Sequence, residues 1–237
     1  YMTQESTEDL TTEILKNSKE ITELLKRDNI EIKDVCDYHI YPIADNDTPK
    51  LSSDRLEYSL SNALFTYELC DINQIRKMYN DITIQKDEDG IDELGFKTEQ
   101  IALDFVKITS KLSIIYREDR TRYSMQLIAD ILKKLSIEKK VTKKDLYTIK
   151  ESEIINIISE SKYKDIFNKW RKATKVNSSK DRPENVYYVH HGAKIRYIDP
   201  LINGKRISKA SSKADKMIKG NLSYDMNNYV SLNFELK

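Results

Sequence analysis

The sequence predicts a mainly α-helical fold: a multi-helix body interrupted by one short hairpin, followed by a small C-terminal α+β appendage. Three observations lead there. Only five Gly and four Pro occur among 237 residues, so turns are few and helices long. Apolar residues recur at helical spacing as far as residue 173. Beyond a polar stretch the pattern changes to short alternating runs, the mark of strands.

In chain order, Ser6 and Asp9 mark a helix start, and Leu10, Ile14, Ile21, Leu24 and Leu25 then form one stripe running toward Lys26 and Arg27. A helical turn around Ile32 to Tyr38 leads into a loop, Tyr38 to Lys50, whose two prolines and Asn/Asp cluster forbid a long helix. Ser52 or Ser53 caps a helix carrying Leu56, Leu60, Ala63, Leu64 and Tyr67. Asp71 caps another through Tyr79. Ile82-Thr83-Ile84 and Leu94-Gly95-Phe96 flank the turn Asp87-Glu88-Asp89-Gly90 as a hairpin. Two long helices follow, one with Ile101, Phe105, Ile108, Leu112 and Ile115, the other with Met125, Ile128, Ala129, Leu132 and Leu135. Shorter helices start near Thr142 and Glu151, and another spans Lys162 to Ala173. In the tail, Val186 to Val189, Ala193 to Ile198 and Tyr229 to Phe234 read as strands, and Ser211 to Lys219 as a helix. The expected organisation is a helical body over 1–176, a linker over 177–185 and the appendage over 186–237.

Forty basic residues against thirty-nine acidic ones leave a formal charge of +1, which argues against a surface built to hold nucleic acid. Cys36 and Cys70 lack metal-ligand or disulfide-framework spacing and are expected to be reduced and buried. No apolar run is long enough to span a membrane, and Tyr1 to Asp9 is polar, so no membrane partner is expected and the cytoplasm is the default location. Because Tyr1 is not Met, the chain is expected to begin part-way into a longer gene product.

Nucleotide-binding glycine loops, HExxH and GxSxG are absent. The turn Asp87 to Gly90 has its glycine too early for a calcium loop, and the plain turn is the preferred reading. His190 and His191 are adjacent, so on a strand they face opposite ways and read as structural or surface groups. Trp170, one turn beyond Phe167, reads as packing. Lys194, Arg196, Lys205 and Arg206 could form an anion patch, although solvated lysines and arginines are the commoner case. Asp54 is favourable at a helix N-terminus on electrostatic grounds alone. Beside it, Arg55 and Tyr58 offer a phosphate clamp and a stacking or hydrogen-bonding partner.

Ser53-Asp54-Arg55-Leu56-Glu57-Tyr58, preceded by Asp45-Asn46-Asp47-Thr48-Pro49, resembles the distal part of an HD-domain phosphohydrolase, a family that includes deoxynucleoside triphosphate hydrolases. The resemblance implies an all-helical HD-like bundle in which a His, a His-Asp doublet and a later Asp bind a divalent metal ion. Asp54 matches that last Asp, and Arg55 and Tyr58 match positions contacting substrate phosphate or sugar. Tyr116-Arg117 through Met125 to Asp130 is similar to the helix behind the substrate pocket, which adds Tyr116 as a substrate-binding candidate. Lys194 to Leu201 resembles the C-terminal appendage of bacterial relatives.

This sequence departs from the family in having no His-Asp doublet; its histidines are His39, His190 and His191. Transition-metal affinity comes from several converging ligands, so these residues alone are expected to be metal-poor and inactive. The expected function is metal-dependent hydrolysis of a phosphoester or nucleotide by the parent protein, the ion activating water and offsetting phosphate charge. Asp54 is then expected to border a cleft. The alternative is a non-catalytic helical regulatory or interaction module that docks through its basic C-terminal face. Self-association is left open by the sequence.

Overall fold

The computed structural model describes residues 10–37 and 40–235, with side chains to residue 232. The expected helix start at Ser6 and Asp9, and Tyr38 and His39 of the loop, lie outside the described residues.

The first helices are α1 (Thr11–Asn17), α2 (Lys19–Arg27), α3 (Lys33–Cys36) and α4 (Ser53–Ser61), which runs into a π-helical turn over Asn62–Thr66. Then come α5 (Ile72–Asp81), β1 (Ile82–Lys86), β2 (Asp92–Phe96), α6 (Glu99–Ile115) and α7 (Asp119–Ile137). They are followed by α8 (Asp145–Thr148), α9 (Glu151–Ser159), α10 (Lys164–Lys172), β3 (Asn177–Ser179) and β4 (Val186–Val189). The chain continues with β5 (Leu201–Ile202), β6 (Lys205–Arg206), α11 (Ile207–Ala210), α12 (Ser212–Leu222) and β7 (Tyr229–Glu235).

Local chemistry accounts for several boundaries. The helix expected from Leu10 to Arg27 is broken at Ser18, which is extended and whose Oγ accepts the Ile21 N–H at 3.3 Å to start α2. Ser52 caps α4 through the Arg55 N–H at 3.3 Å. Asp71 and Gln74 form a reciprocal capping box on α5.

The chain forms two compact units that are discontinuous in sequence. One comprises the chain up to Ile114 with Arg196–Ser223; the other comprises Ile115–Ile195 with the segment from Tyr224 onward. In the first, the sheet order is β1-β2-β5-β6. β1 and β2 form the expected hairpin, Ile82 opposite Phe96. β5 joins β2 in parallel, Gly95 opposite Leu201, and then pairs with β6. Leu56, Leu60, Phe96, Phe105, Leu201 and Ile207 are buried here, each worth about 1.5–3 kcal/mol in apolar transfer. In the second unit β3 and β4 flank β7, both antiparallel to it. One face of this sheet packs Val189, Val230 and Leu232 against Tyr123, Leu127 and Ile131 of α7.

The mainly α bundle with a single hairpin is therefore overturned. The fold is mixed α/β, 53% helix and 11% strand, with a four-stranded and a three-stranded sheet. The strands that complete both sheets come from segments far away in sequence, so no local pattern announced the pairing. The expected linker is not free chain: Asn177–Ser179 is β3, with Ser178 opposite Val230. Nor is residues 186–237 one appendage, since its parts belong to different units. The strand expected over Ala193 to Ile198 has no regular structure; the strands lie just beyond, at β5 and β6. Cys36 and Cys70 are free thiols, half-buried rather than buried.

Candidate functional site

The corner at the start of α4 is rigidly held. The N–H groups of Ser53 and Asp54 donate to the carbonyls of Ile43 and Ala44 at 2.8 and 3.2 Å, and Ser53 Oγ donates to Ala44 as well. Leu51 and Ser52 are wholly buried. The first turn of the helix is thus pinned to the preceding loop, with the Asp54 side chain exposed.

Arg55 does not point its guanidinium at an open surface. It donates to the Lys50 carbonyl at 2.9 Å, to Thr48 Oγ1 at 3.4 Å and closely to the Asn46 carbonyl. Those acceptors span the loop, so Arg55 braces it rather than acting as the expected phosphate clamp. Tyr58, one turn beyond Asp54, is half-buried. Burial raises its phenol pKa; Arg55 and Arg196 oppose that shift, and Asp54 adds to it. Arg196 arrives from a distant part of the sequence, is exposed, and has no ion-pair partner among the described residues.

Of the sequence candidates, Asp54, Tyr58 and Arg196 therefore come together in one unit. Tyr116 lies in the turn between α6 and α7, and it and Lys194 belong to the other unit. The anion patch of four basic residues is not formed. Arg206 is 5% exposed, and its guanidinium meets Glu93 at 2.7 and 2.8 Å and Glu88 at 2.8 and 2.9 Å. Burial alone would lower its pKa, but the two carboxylates overcome it and raise the value. Glu93 also accepts the Leu51 N–H at 2.9 Å, so this buried ion network reaches the segment leading into α4. Sequence reasoning missed it because Glu88 lies in an acidic turn that reads as solvated, Glu93 lies on β2 just beyond it, and their partner Arg206 is remote in sequence with no local signal linking them.

Asp54 does not border the cavity of about 380 Å³ that Asp45, Asp47, Lys50 and Asp92 line, nor one of about 440 Å³ between α6 and α12. The cleft expected beside Asp54 is not made by these cavities. Among the described residues no group of three or more His, Cys, Asp or Glu is arranged to hold a metal ion. One exposed carboxylate does not fit a divalent metal by itself, since affinity needs converging ligands.

The remaining expectations resolve as local structure. Asp87 accepts the N–H groups of Asp89 and Ile91, both at 2.9 Å, and pairs with Lys50 at 2.6 Å, closing the hairpin turn. His190 stacks on Tyr229 with ring centroids 4.0 Å apart and meets Asn227 at 2.9 Å. Trp170 packs on Phe167, as expected, and donates to Ser124 Oγ at 2.9 Å. Among the described residues no helix is long and apolar enough to cross a membrane. No family model, curated protein or solved structure matches this chain.

Proposed function

We propose that the surface carrying Asp54, Tyr58 and Arg196 is the substrate-side part of a phosphohydrolase site acting on a phosphoester such as a nucleotide. The observation that supports it is that the charges of Arg196 and Asp54 both act on the half-buried Tyr58, beside the pinned first turn of α4. In this reading Arg196 takes the role the sequence gave to Arg55: it donates charge-assisted hydrogen bonds to a phosphate oxygen. Tyr58, a neutral phenol at pH 7 whose pKa burial raises further, bounds the sugar or base and can donate its phenolic proton in a hydrogen bond. Arg55 is a positioning residue that fixes the loop. Asp54 is offered as one carboxylate ligand of a divalent metal. The His and His-Asp ligands that the family resemblance calls for are not in this sequence and would come from other polypeptide.

Calorimetric titration of the full chain with inorganic triphosphate tests the anion site. Arg196→Ala is expected to weaken binding about tenfold, the loss of one charge-assisted contact, with the fold intact. Arg55→Ala should instead lower the urea midpoint. Unchanged triphosphate affinity in Arg196→Ala removes the proposal. For the metal, Asp54→Asn in a protein supplying the other ligands should abolish both bound metal and nucleotide turnover; wild-type values for both remove Asp54 from that role.

A further inference from the structure

The second unit contains a cleft of about 520 Å³ that the preceding reading does not use. Its floor and walls come from α7, α9, α10 and β7: Ile128, Ile155, Ile158, Trp170 and Leu232 present apolar surface. Ile158 and Leu232 are buried core residues, whereas Ile128, Ile155 and Trp170 are half-buried, so the cleft opens directly onto the unit's hydrophobic core. The Trp170 indole is oriented by its bond to Ser124 Oγ at 2.9 Å and by Phe167, whose ring centroid is 5.6 Å away. That wall is preformed.

The mouth is charged unevenly. Arg120, Arg171 and Lys175 line it, with Glu151 as the acidic member. All three basic residues are exposed, and none has an ion-pair partner among the described residues. The Arg171 guanidinium carbon lies 5.7 Å from the centre of the Phe167 ring, which holds the charge at the edge of the apolar surface. A volume within the usual ligand range, mostly apolar walls and a few basic groups at the mouth together select shape and charge.

We propose that this cleft binds a small amphiphilic anion of the size of a medium-chain fatty acid, its apolar body against Ile155 and Trp170 and its head group between Arg120, Arg171 and Lys175. The proposal stands apart from the phosphohydrolase reading, which concerns the other unit.

Trp170 is the sole tryptophan of the chain, so its fluorescence reports the cleft directly. Titration of the full chain with dodecanoate below its micellar range is expected to give a saturable change in emission. Dodecanol should bind about tenfold more weakly, because it lacks the charge that the mouth selects. Arg120→Glu with Arg171→Glu should weaken dodecanoate about tenfold and leave dodecanol unchanged; Lys175→Glu, at an exposed position on the rim, gives the same direction should the double variant misfold. Ile155→Glu should abolish both signals while the circular dichroism stays native. A non-saturable response, wild-type affinity for dodecanoate no greater than for dodecanol, or unchanged dodecanoate affinity in the charge variants overturns the proposal.

Discussion

Arg206 shows how much a single side chain can be asked to hold. It is buried, it meets two carboxylates at once, and one of them, Glu93, is 1% exposed and also serves the Leu51 N–H. Removing the guanidinium leaves Glu93 as an uncompensated buried charge, whereas a buried pair as a whole is worth little against an apolar replacement. Arg206→Met is therefore expected to cost about 3–5 kcal/mol in urea unfolding. Adding Glu93→Gln should recover part of that loss, because the amide is neutral and still accepts from Leu51. Additive losses in the double variant contradict this account. Glu88 contributes a smaller, pH-dependent share: Arg206 holds its pKa down to about 2 from 4.5. A depressed carboxylate stabilises fully above its unfolded value and loses that contribution as pH falls from 4.5 toward 2. Its side chain is 46% exposed, so solvent screening keeps the effect small.

At the scale of elements, the hairpin of β1 and β2 was legible and its partners were not. Ile82 to Ile84 and Leu94 to Phe96 carry strand-like residues around a turn, and that local signal was enough. The parallel strand β5 is two residues long and follows Pro200, too short to register as a pattern. The cue available was Asn203-Gly204, both at positive φ, the turn chemistry that joins β5 to β6. Helix positions were read well where caps exist, as at Ser52 and Asp71, and less well at Ser18, where a cap for α2 lay inside one continuous apolar stripe. The site was partly legible for the same reason: Asp54 and Tyr58 share a helix, while the approach of Arg196 and the bracing role of Arg55 depend on tertiary placement. Gly95 tests the hidden pairing. A Cβ there would lie 2.7 Å from both the Leu201 carbonyl oxygen and Gln85 Nε2. Gln85 can move, but the carbonyl belongs to the paired strand. Gly95→Ala should cost about 1–3 kcal/mol by prying β5 from β2. Gly204→Ala should cost about 1 kcal/mol through its positive φ alone. Equal urea midpoints for wild type and Gly95→Ala contradict the parallel register.

For the whole molecule, the consequence is that sequence continuity does not delimit what folds together. The chain passes between its two units after Ile114, after Ile195 and after Ser223, so a fragment cut at the expected linker takes pieces of both. The segment from Tyr224 onward is indispensable to the second unit. It supplies β7, the middle strand of that sheet, and places Val230 and Leu232 in the core. Asn228 Nδ2 donates to Asp119 Oδ2 at 3.0 Å, and the Arg117 guanidinium lies 5.5 Å from the centre of the Tyr224 ring. Without β7 the strands β3 and β4 have no partner, and α7 loses the apolar face it packs against. Deletion of residues 224–237 is therefore expected to shift the emission of Trp170 to the red, toward that of the chain in urea. The Arg206 network in the other unit keeps all of its partners in that truncated chain, so a helical far-UV signal should persist. A native-like Trp170 emission after the deletion would mean that the core described around Tyr123 and Leu127 assembles without β7, and the discontinuous division of the chain would be wrong.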